Sequence, residues 1–301
     1  MNTRERATWR PGIPASQRRS RRVQAVKNLL TFGARVRAPH VSGRRYRVAM
    51  GNRTGIEWTE ATWNPTTGCD KVSPGCDNCY ALTLAKRLKA MGNSKYQIDG
   101  DPRTSGEGFA LQEHARSLDV PRSWISPRLV FVNSMSDLFH PRVTNTFIES
   151  VFRVMQETPR HTYQLLTKRP KRALKMRNML PWPENVWMGV SVESSEYLWR
   201  LGVLRDIPSQ TRFISAEPLL GPLDEIDLSG ISWLIAGGES GVGHRSLNPE
   251  WVLALRDACR SQDVAFFFKQ WGGRTPKAGG RSLEGRTWDD MPLLLEGSTA
   301  N

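Results

Sequence analysis

From about residue 56 onward, short apolar runs of β-forming residues alternate with amphipathic runs of helical period. Strands are predicted at 56–62, 129–133, 162–166, 186–192, 212–215, 233–236 and 265–268. Ala81, Leu84, Ala85, Leu88 and Met91 recur at i, i+3, i+4, i+7 and i+10, which puts them on one helical face, and Gly92-Asn93 supplies a stop. Phe147, Ile148, Val151, Phe152 and Met155 mark a second helix. A basic helix near 170–179 and a short one around 196–205 follow, and Asn248-Pro249, a cap residue with proline in the first turn, opens the last. Residues 93–124 are polar, carry Gly and Pro and show no clear period, so they read as an insertion or lid. Seven strands, most followed by a helix or a long connection, imply parallel pairing with right-handed crossovers. That rhythm fits an α/β fold built as a partial or complete parallel (β/α) barrel, with a doubly wound open sheet as the competitor.

A chain of 301 residues with 39% apolar content can bury a core. No run approaches the roughly 18 apolar residues of a membrane span, so no membrane partner is expected. The formal charge of +14 changes the picture less than its size promises. Residues 1–50 hold thirteen Lys or Arg against the single acid Glu5, a net +12, which leaves +2 for residues 51–301. The basicity belongs to this leader, which reads in three ways: a disordered arm that grips phosphate, an organellar transit segment, or translated upstream sequence ahead of a true start at Met50. The expected organisation is therefore a basic leader over 1–50, one barrel-like domain over 51–292 and a tail over 293–301.

Candidate chemistry begins with the cysteines. Cys69, Cys76 and Cys79 lie within eleven residues, between the first strand and the first helix, and only Cys259 lies elsewhere. Three thiols are the wrong number for paired disulfides and one short of a closed zinc site. They suit a metal centre with one open position, and a reducing cytoplasm suits the thiols. An iron–sulfur cluster and a zinc ion, the latter with His140 or Asp70 as fourth ligand, are the two metal readings. Cys259 shares a helical face with Val252 and Leu255 and reads as a buried, inert thiol. The strands end alike, apolar residues giving way to polar ones at Ser134-Met135-Ser136-Asp137, Thr167-Lys168-Arg169, Ser191 with Glu193, Ser215 with Glu217, Gly237-Gly238-Glu239-Ser240 and Lys269-Gln270. Any one such residue reads most simply as a solvated loop start. Taken together they mark the C-terminal face of a parallel sheet, where sites of this architecture sit.

The stretch Ile56-Glu57-Trp58-Thr59-(x3)-Trp63-Asn64-Pro65-(x2)-Gly68-Cys69-(x4)-Pro74-Gly75-Cys76-Asp77-Asn78-Cys79-Tyr80-Ala81 resembles a family of phage and bacterial three-cysteine-motif proteins, itself similar to the radical S-adenosylmethionine (SAM) superfamily. Leu165-Leu166-Thr167-Lys168-Arg169-Pro170, Ser215-Ala216-Glu217-Pro218-Leu219 and Phe267-Phe268-Lys269-Gln270-Trp271-Gly272 carry the likeness through the body, from about 54 to 292. The resemblance implies a partial barrel with a [4Fe–4S] cluster on Cys69, Cys76 and Cys79. It also implies SAM on the open iron and an external one-electron donor. The superfamily's usual loop is C-x3-C-x2-C with an aromatic before the last cysteine; here the first gap is six residues and Asn78 takes that place. Its usual Gly-Gly-Glu is replaced by Ser134-Met135-Ser136-Asp137, so Ser134 or Asp137 becomes the acceptor for the SAM ammonium. Ser191, Glu193 and Glu239 are expected as further cofactor contacts, and Lys269 and Glu217 as catalytic candidates. A nucleotide or nucleic acid is the expected substrate class, by analogy with DNA-repair lyases of that superfamily. Two other functions fit the residues: a zinc-stapled protein that binds nucleic acid through 1–50, and an iron–sulfur redox sensor that does not cleave SAM.

Overall fold

The computed structural model describes residues 54–292; the basic leader, Met50 and the tail expected over 293–301 lie outside the described residues. Seven parallel strands form one sheet: β1 (Ala61–Trp63), β2 (Leu129–Val132), β3 (Thr162–Thr167), β4 (Val186–Ser191), β5 (Thr211–Ala216), β6 (Trp233–Gly237) and β7 (Ala265–Gln270). Their spatial order is their chain order, with β1 and β7 at the two edges. A doubly wound sheet reverses its order at a switch point, and this sheet does not. Right-handed crossovers in a single sense put all connections on one face and leave the other turned inward, which defines a partial parallel barrel.

The two faces carry different cores. Alternate side chains such as Val130, Met188, Ile214, Leu234 and Phe266 face the helices. These are α2 (Asn145–Glu157), α3 (Pro170–Lys175), α4 (Trp199–Arg205) and α5 (Pro249–Ser261), while α1 (Tyr80–Ala90) packs in a separate small core. The α2 face read from the sequence, Phe147 to Met155, is buried there. Two starts are capped by side chains: Thr144 Oγ1 accepts from Phe147 N at 3.3 Å, and Asn248 Oδ1, the cap read from the sequence, accepts from Glu250 N at 2.9 Å ahead of a first-turn proline. The inward residues Trp58, Phe131, Trp187, Phe213, Trp233, Ile235 and Phe267 form a second, aromatic core. Trp233, with no exposed surface, stands at its centre, its ring 5.6 to 6.1 Å from those of Phe213, Trp58, Trp187 and Phe267. Trp187, Phe213, Trp233 and Phe267 come from the first halves of their strands, and Trp58 precedes the first strand, so the rings plug the N-terminal end of the barrel.

Two segments differ from expectation. The first strand covers Ala61–Trp63 rather than 56–62, because Ile56 and Trp58 join the inner aromatic core ahead of it as irregular chain. In the segment 93–124, a two-residue strand, Gln112–Glu113, pairs antiparallel with Thr66–Thr67. Tyr96 and Phe109 pack with Ala81, Ala85 and Met135 in a third small core that Cys69 and Cys79 also touch. The segment is thus pinned beside the cysteine loop. Among the described residues no helix is long and apolar enough to cross a membrane.

Candidate active site

The loop after β1 (Ala61–Trp63) carries all three cysteines to the C-terminal face of the sheet. There Cys69, Cys76 and Cys79 line one cavity of about 420 Å³ together with Trp58, Phe131, Ser191, Glu217 and Lys269. The aromatic plug forms its floor and the polar strand ends its walls. Cys76 closes a 3-10 turn at Pro74–Cys76, and Cys79 is the cap residue of α1 (Tyr80–Ala90). Gly75 lies so close to the next layer that a Cβ on it would sit 2.6 Å from Glu193 Cγ and Oε1, which explains a glycine between Pro74 and Cys76.

All three thiols are free and partly buried. Burial pushes the Cys69 thiol up to about 12, against the opposing charge of Arg169, whose Nη1 donates to Cys69 Sγ at 3.3 Å. Burial likewise raises Cys79, opposed by the amides of Ala81 and Leu82 at the helix start. Deprotonation of such thiols in place therefore calls for a cation, which is what a metal centre supplies. The donor set fits an iron–sulfur cluster: three soft sulfurs line one cavity, and each can take a separate iron. A single zinc fits less well. The fourth ligands expected for it are engaged with one another, His140 Nε2 lying 2.8 Å from Asp70 Oδ2, while Thr104 Oγ1 and Arg142 Nη2 donate to the same carboxylate at 2.8 and 2.9 Å. Among the described residues no three His, Cys, Asp or Glu side chains are gathered closely enough for one ion.

The other expected residues divide into two groups. Ser191 lines the cavity, and its hydroxyl has no hydrogen-bond partner among the described residues. Lys269 Nζ lies 3.1 Å from Glu217 Oε1, and Ser215 Oγ donates to Glu217 Oε2 at 3.2 Å, so this pair also stands in the cavity. Ser134, Asp137 and Glu239 also line the cavity, but they and the enclosed Glu193 are tied into the protein by hydrogen bonds. Ser134 Oγ is exchanged with the Asn64 amide at 3.1 and 3.3 Å. Asp137 accepts from Thr167 Oγ1 at 2.7 Å, from the amides of Phe139 and Lys168 at 3.0 and 3.1 Å, and from Arg169 Nη1 at 3.1 Å. Glu193, with no exposed surface, accepts from Ser73 Oγ and Arg200 Nη1 at 2.7 and 2.8 Å and pairs with Lys168 Nζ at 2.7 Å. Burial alone would raise its carboxyl, but the charges of Lys168 and Arg200 prevail and hold it below the ordinary value. Glu239 accepts from Asn78 Nδ2 and from Arg245 N and Nε, each at 2.9 Å; these bonds outweigh its burial and hold it low as well. Gly238 is accounted for by packing, since a Cβ there would lie 2.0 Å from the Trp271 carbonyl oxygen.

Arg200, Arg245 and Ser73 carry no signal in the sequence, and Asn78 stands out there only as a departure from the aromatic of the usual loop. Arg200 is almost fully buried inside a seven-residue helix and would read there as solvated surface. Asn78 meets Glu239 across 161 positions and Ser73 meets Glu193 across 120, separations that no local pattern encodes.

Fold and site together define a partial parallel barrel protein with a three-thiol cavity at the C-terminal ends of its strands. Residues 53–292 match a family model described as "Protein of unknown function (DUF5131)", and the chain belongs to that family. No curated protein matches it. Among solved structures it is similar to a mutant of spore photoproduct lyase, with 11% identity, 65% of this chain and 60% of that chain covered, and a TM-score of 0.38. A second mutant of that enzyme, solved with dinucleoside spore photoproduct, gives 12% identity, 60% and 56% coverage and a TM-score of 0.36. The chain thus spans about three-fifths of the length of these structures.

Proposed function

We propose that this protein is an iron–sulfur enzyme of radical SAM type, with a [4Fe–4S] cluster on Cys69, Cys76 and Cys79 and SAM in the adjoining cavity. One observation carries the reading: a single loop delivers three thiols to a cavity at the C-terminal ends of parallel barrel strands, where Glu217, Lys269 and Ser191 also stand. When bound, such a pair supplies one-electron cleavage of SAM to methionine and a hydrogen-abstracting 5′-deoxyadenosyl radical. The chain's own residues hold and shield that chemistry. Three cysteines leave one position of the centre to a non-protein ligand. The amides that start α1 and the Arg169 guanidinium offset the negative charge of the thiolates. Ser191 and the Glu217–Lys269 pair orient the polar parts of ligands, and the aromatic floor keeps water from beneath them. Electrons come from an external one-electron donor, and thiols that must stay reduced belong in a reducing compartment such as the cytoplasm.

The test is anaerobic loading of the full chain with iron and sulfide, followed by metal and sulfide analysis. The expected result is about four irons and four sulfides per chain. Cys69→Ala, Cys76→Ala and Cys79→Ala should each lose them, while Cys259→Ala, buried in the outer core, keeps them. One zinc with no acid-labile sulfide would sink the proposal.

A further inference from the structure

We infer that Asp137, Glu193 and Glu239 are positioning residues for the three cysteines, one carboxylate to each thiol, rather than contacts to a bound cofactor. The inference rests on the reading above only for what the cysteines finally hold. It starts from three contacts to the cysteine loop, two that reach a sulfur through one side chain and a third that holds the residue beside Cys79. Asp137 fixes the Arg169 guanidinium, and the same Nη1 that Asp137 accepts from at 3.1 Å donates to Cys69 Sγ at 3.3 Å, while Arg169 Nη2 donates to the Asp70 carbonyl at 2.8 Å. Glu193 accepts from Ser73 Oγ at 2.7 Å, and that hydroxyl lies 3.8 Å from Cys76 Sγ. Glu239 accepts from Asn78, the residue before Cys79, and holds Arg245, whose Nη2 donates to the Pro74 carbonyl at 2.9 Å.

The carboxylates have little left to offer a ligand. Glu193 is closed off entirely, and Asp137 and Glu239 are each 5% exposed, with their oxygens shared among several donors. Their origin in the fold is regular. Asp137 follows β2 (Leu129–Val132), Glu193 follows β4 (Val186–Ser191) and Glu239 follows β6 (Trp233–Gly237). Inward positions of a parallel barrel fall into layers drawn from alternate strands. One set of alternate strands thus anchors the cysteine loop. Glu217, after β5 (Thr211–Ala216), and Lys269, on β7 (Ala265–Gln270), belong to the other set; they line the same cavity as Asp137 and Glu239 but pair with each other rather than with the cysteine loop. A flexible loop of eleven residues cannot hold three sulfurs at fixed separations by itself. Three charge-assisted anchors, spread across the sheet, do so before any metal arrives.

The test is read on the metal-free full chain: timed alkylation of each cysteine, followed by mass spectrometry. Cutting an anchor frees its own segment, so Asp137→Asn should accelerate Cys69, Glu193→Gln should accelerate Cys76 and Glu239→Gln should accelerate Cys79. Each acceleration should be about tenfold or more, the other two thiols changing less. Glu217→Gln should leave all three near wild type. Loop-side variants guard against misfolding: Ser73→Ala and Asn78→Ala cut two of the same anchors without stranding a buried charge and should reproduce the Cys76 and Cys79 effects. Ser73→Thr, which keeps the hydroxyl, should restore the Cys76 rate. Equal acceleration of all three thiols by each variant, or none by any, would overturn the inference. Because no metal is present, this outcome is separate from the cluster reading. A selective alkylation pattern in a chain that takes up no iron would retain the anchors and discard the cluster.

Discussion

Replacing Glu193 by glutamine keeps the volume of the side chain and removes the charge that two cations share. Lys168 Nζ and Arg200 Nη1 lie 2.7 and 2.8 Å from its oxygens. They respond differently to its loss. The Lys168 side chain is 18% exposed and lines the cavity, so it can turn toward solvent, whereas the Arg200 side chain is 2% exposed and is trapped. Arg200 keeps a bond to the Ser191 carbonyl and a position 4.3 Å over the Tyr197 ring, but no anion. Breaking one side of a buried ion pair costs about 3–5 kcal/mol, and the escape of Lys168 and the retained contacts of Arg200 put Glu193→Gln at the lower end, about 3 kcal/mol. For a domain of this size that is roughly a 6–12 °C fall in Tm. Urea unfolding followed by tryptophan fluorescence measures the loss directly. Arg200→Met added to Glu193→Gln removes the stranded charge and should recover most of the stability, giving a coupling of about 2 kcal/mol in the double-mutant cycle. A cost below about 1 kcal/mol for Glu193→Gln, or a double variant no more stable than the single one, would refute the reasoning.

Trp233→Ala removes the ring at the centre of the inner aromatic core and should cost about 3–5 kcal/mol by denaturant melting, since four neighbouring rings line the void. Gly75→Ala should lower iron uptake and cost about 1–3 kcal/mol, because its Cβ would meet a Glu193 carboxylate held by three partners; uptake equal to wild type would contradict that close approach. Acid should destabilise the protein through Glu193 and Glu239. Both carboxyls are held below their ordinary values in the fold, so their stabilisation is present above the ordinary glutamate value and is lost as pH falls below it through the lower folded values. A Tm that is flat between pH 6 and 3 would show that these pairs do not act so.

The alternation of apolar residues was enough to read the parallel rhythm, because strands buried on both faces, such as Val186–Ser191, appear as short apolar runs between helical periods. It misled at the first strand. Ile56 and Trp58 are apolar because they plug the barrel floor, not because they lie in a ladder. The two-residue strands Thr66–Thr67 and Gln112–Glu113 are too short to show any period. At the site, the thiols and the cavity pair Glu217 and Lys269 were legible from residue type and place after a strand. Type and place alone could not separate Glu217 from Glu193 and Glu239, three glutamates in nearly equivalent positions. What separates them is who sits opposite: Lys269 in the cavity for Glu217, the buried Arg200 for Glu193, Asn78 and Arg245 for Glu239. Those partners lie on loops and helices whose arrangement only the folded chain discloses.

The proposed function requires that a cluster on Cys69, Cys76 and Cys79 meet SAM in the cavity. The most direct measurement is the EPR spectrum of the reduced, iron-loaded full chain before and after SAM is added, with methionine and 5′-deoxyadenosine assayed in the same samples. The expected result is a reduced-cluster signal that shifts on SAM, is absent in Cys76→Ala and is accompanied by both products. A signal indifferent to SAM, with neither product formed, would contradict it.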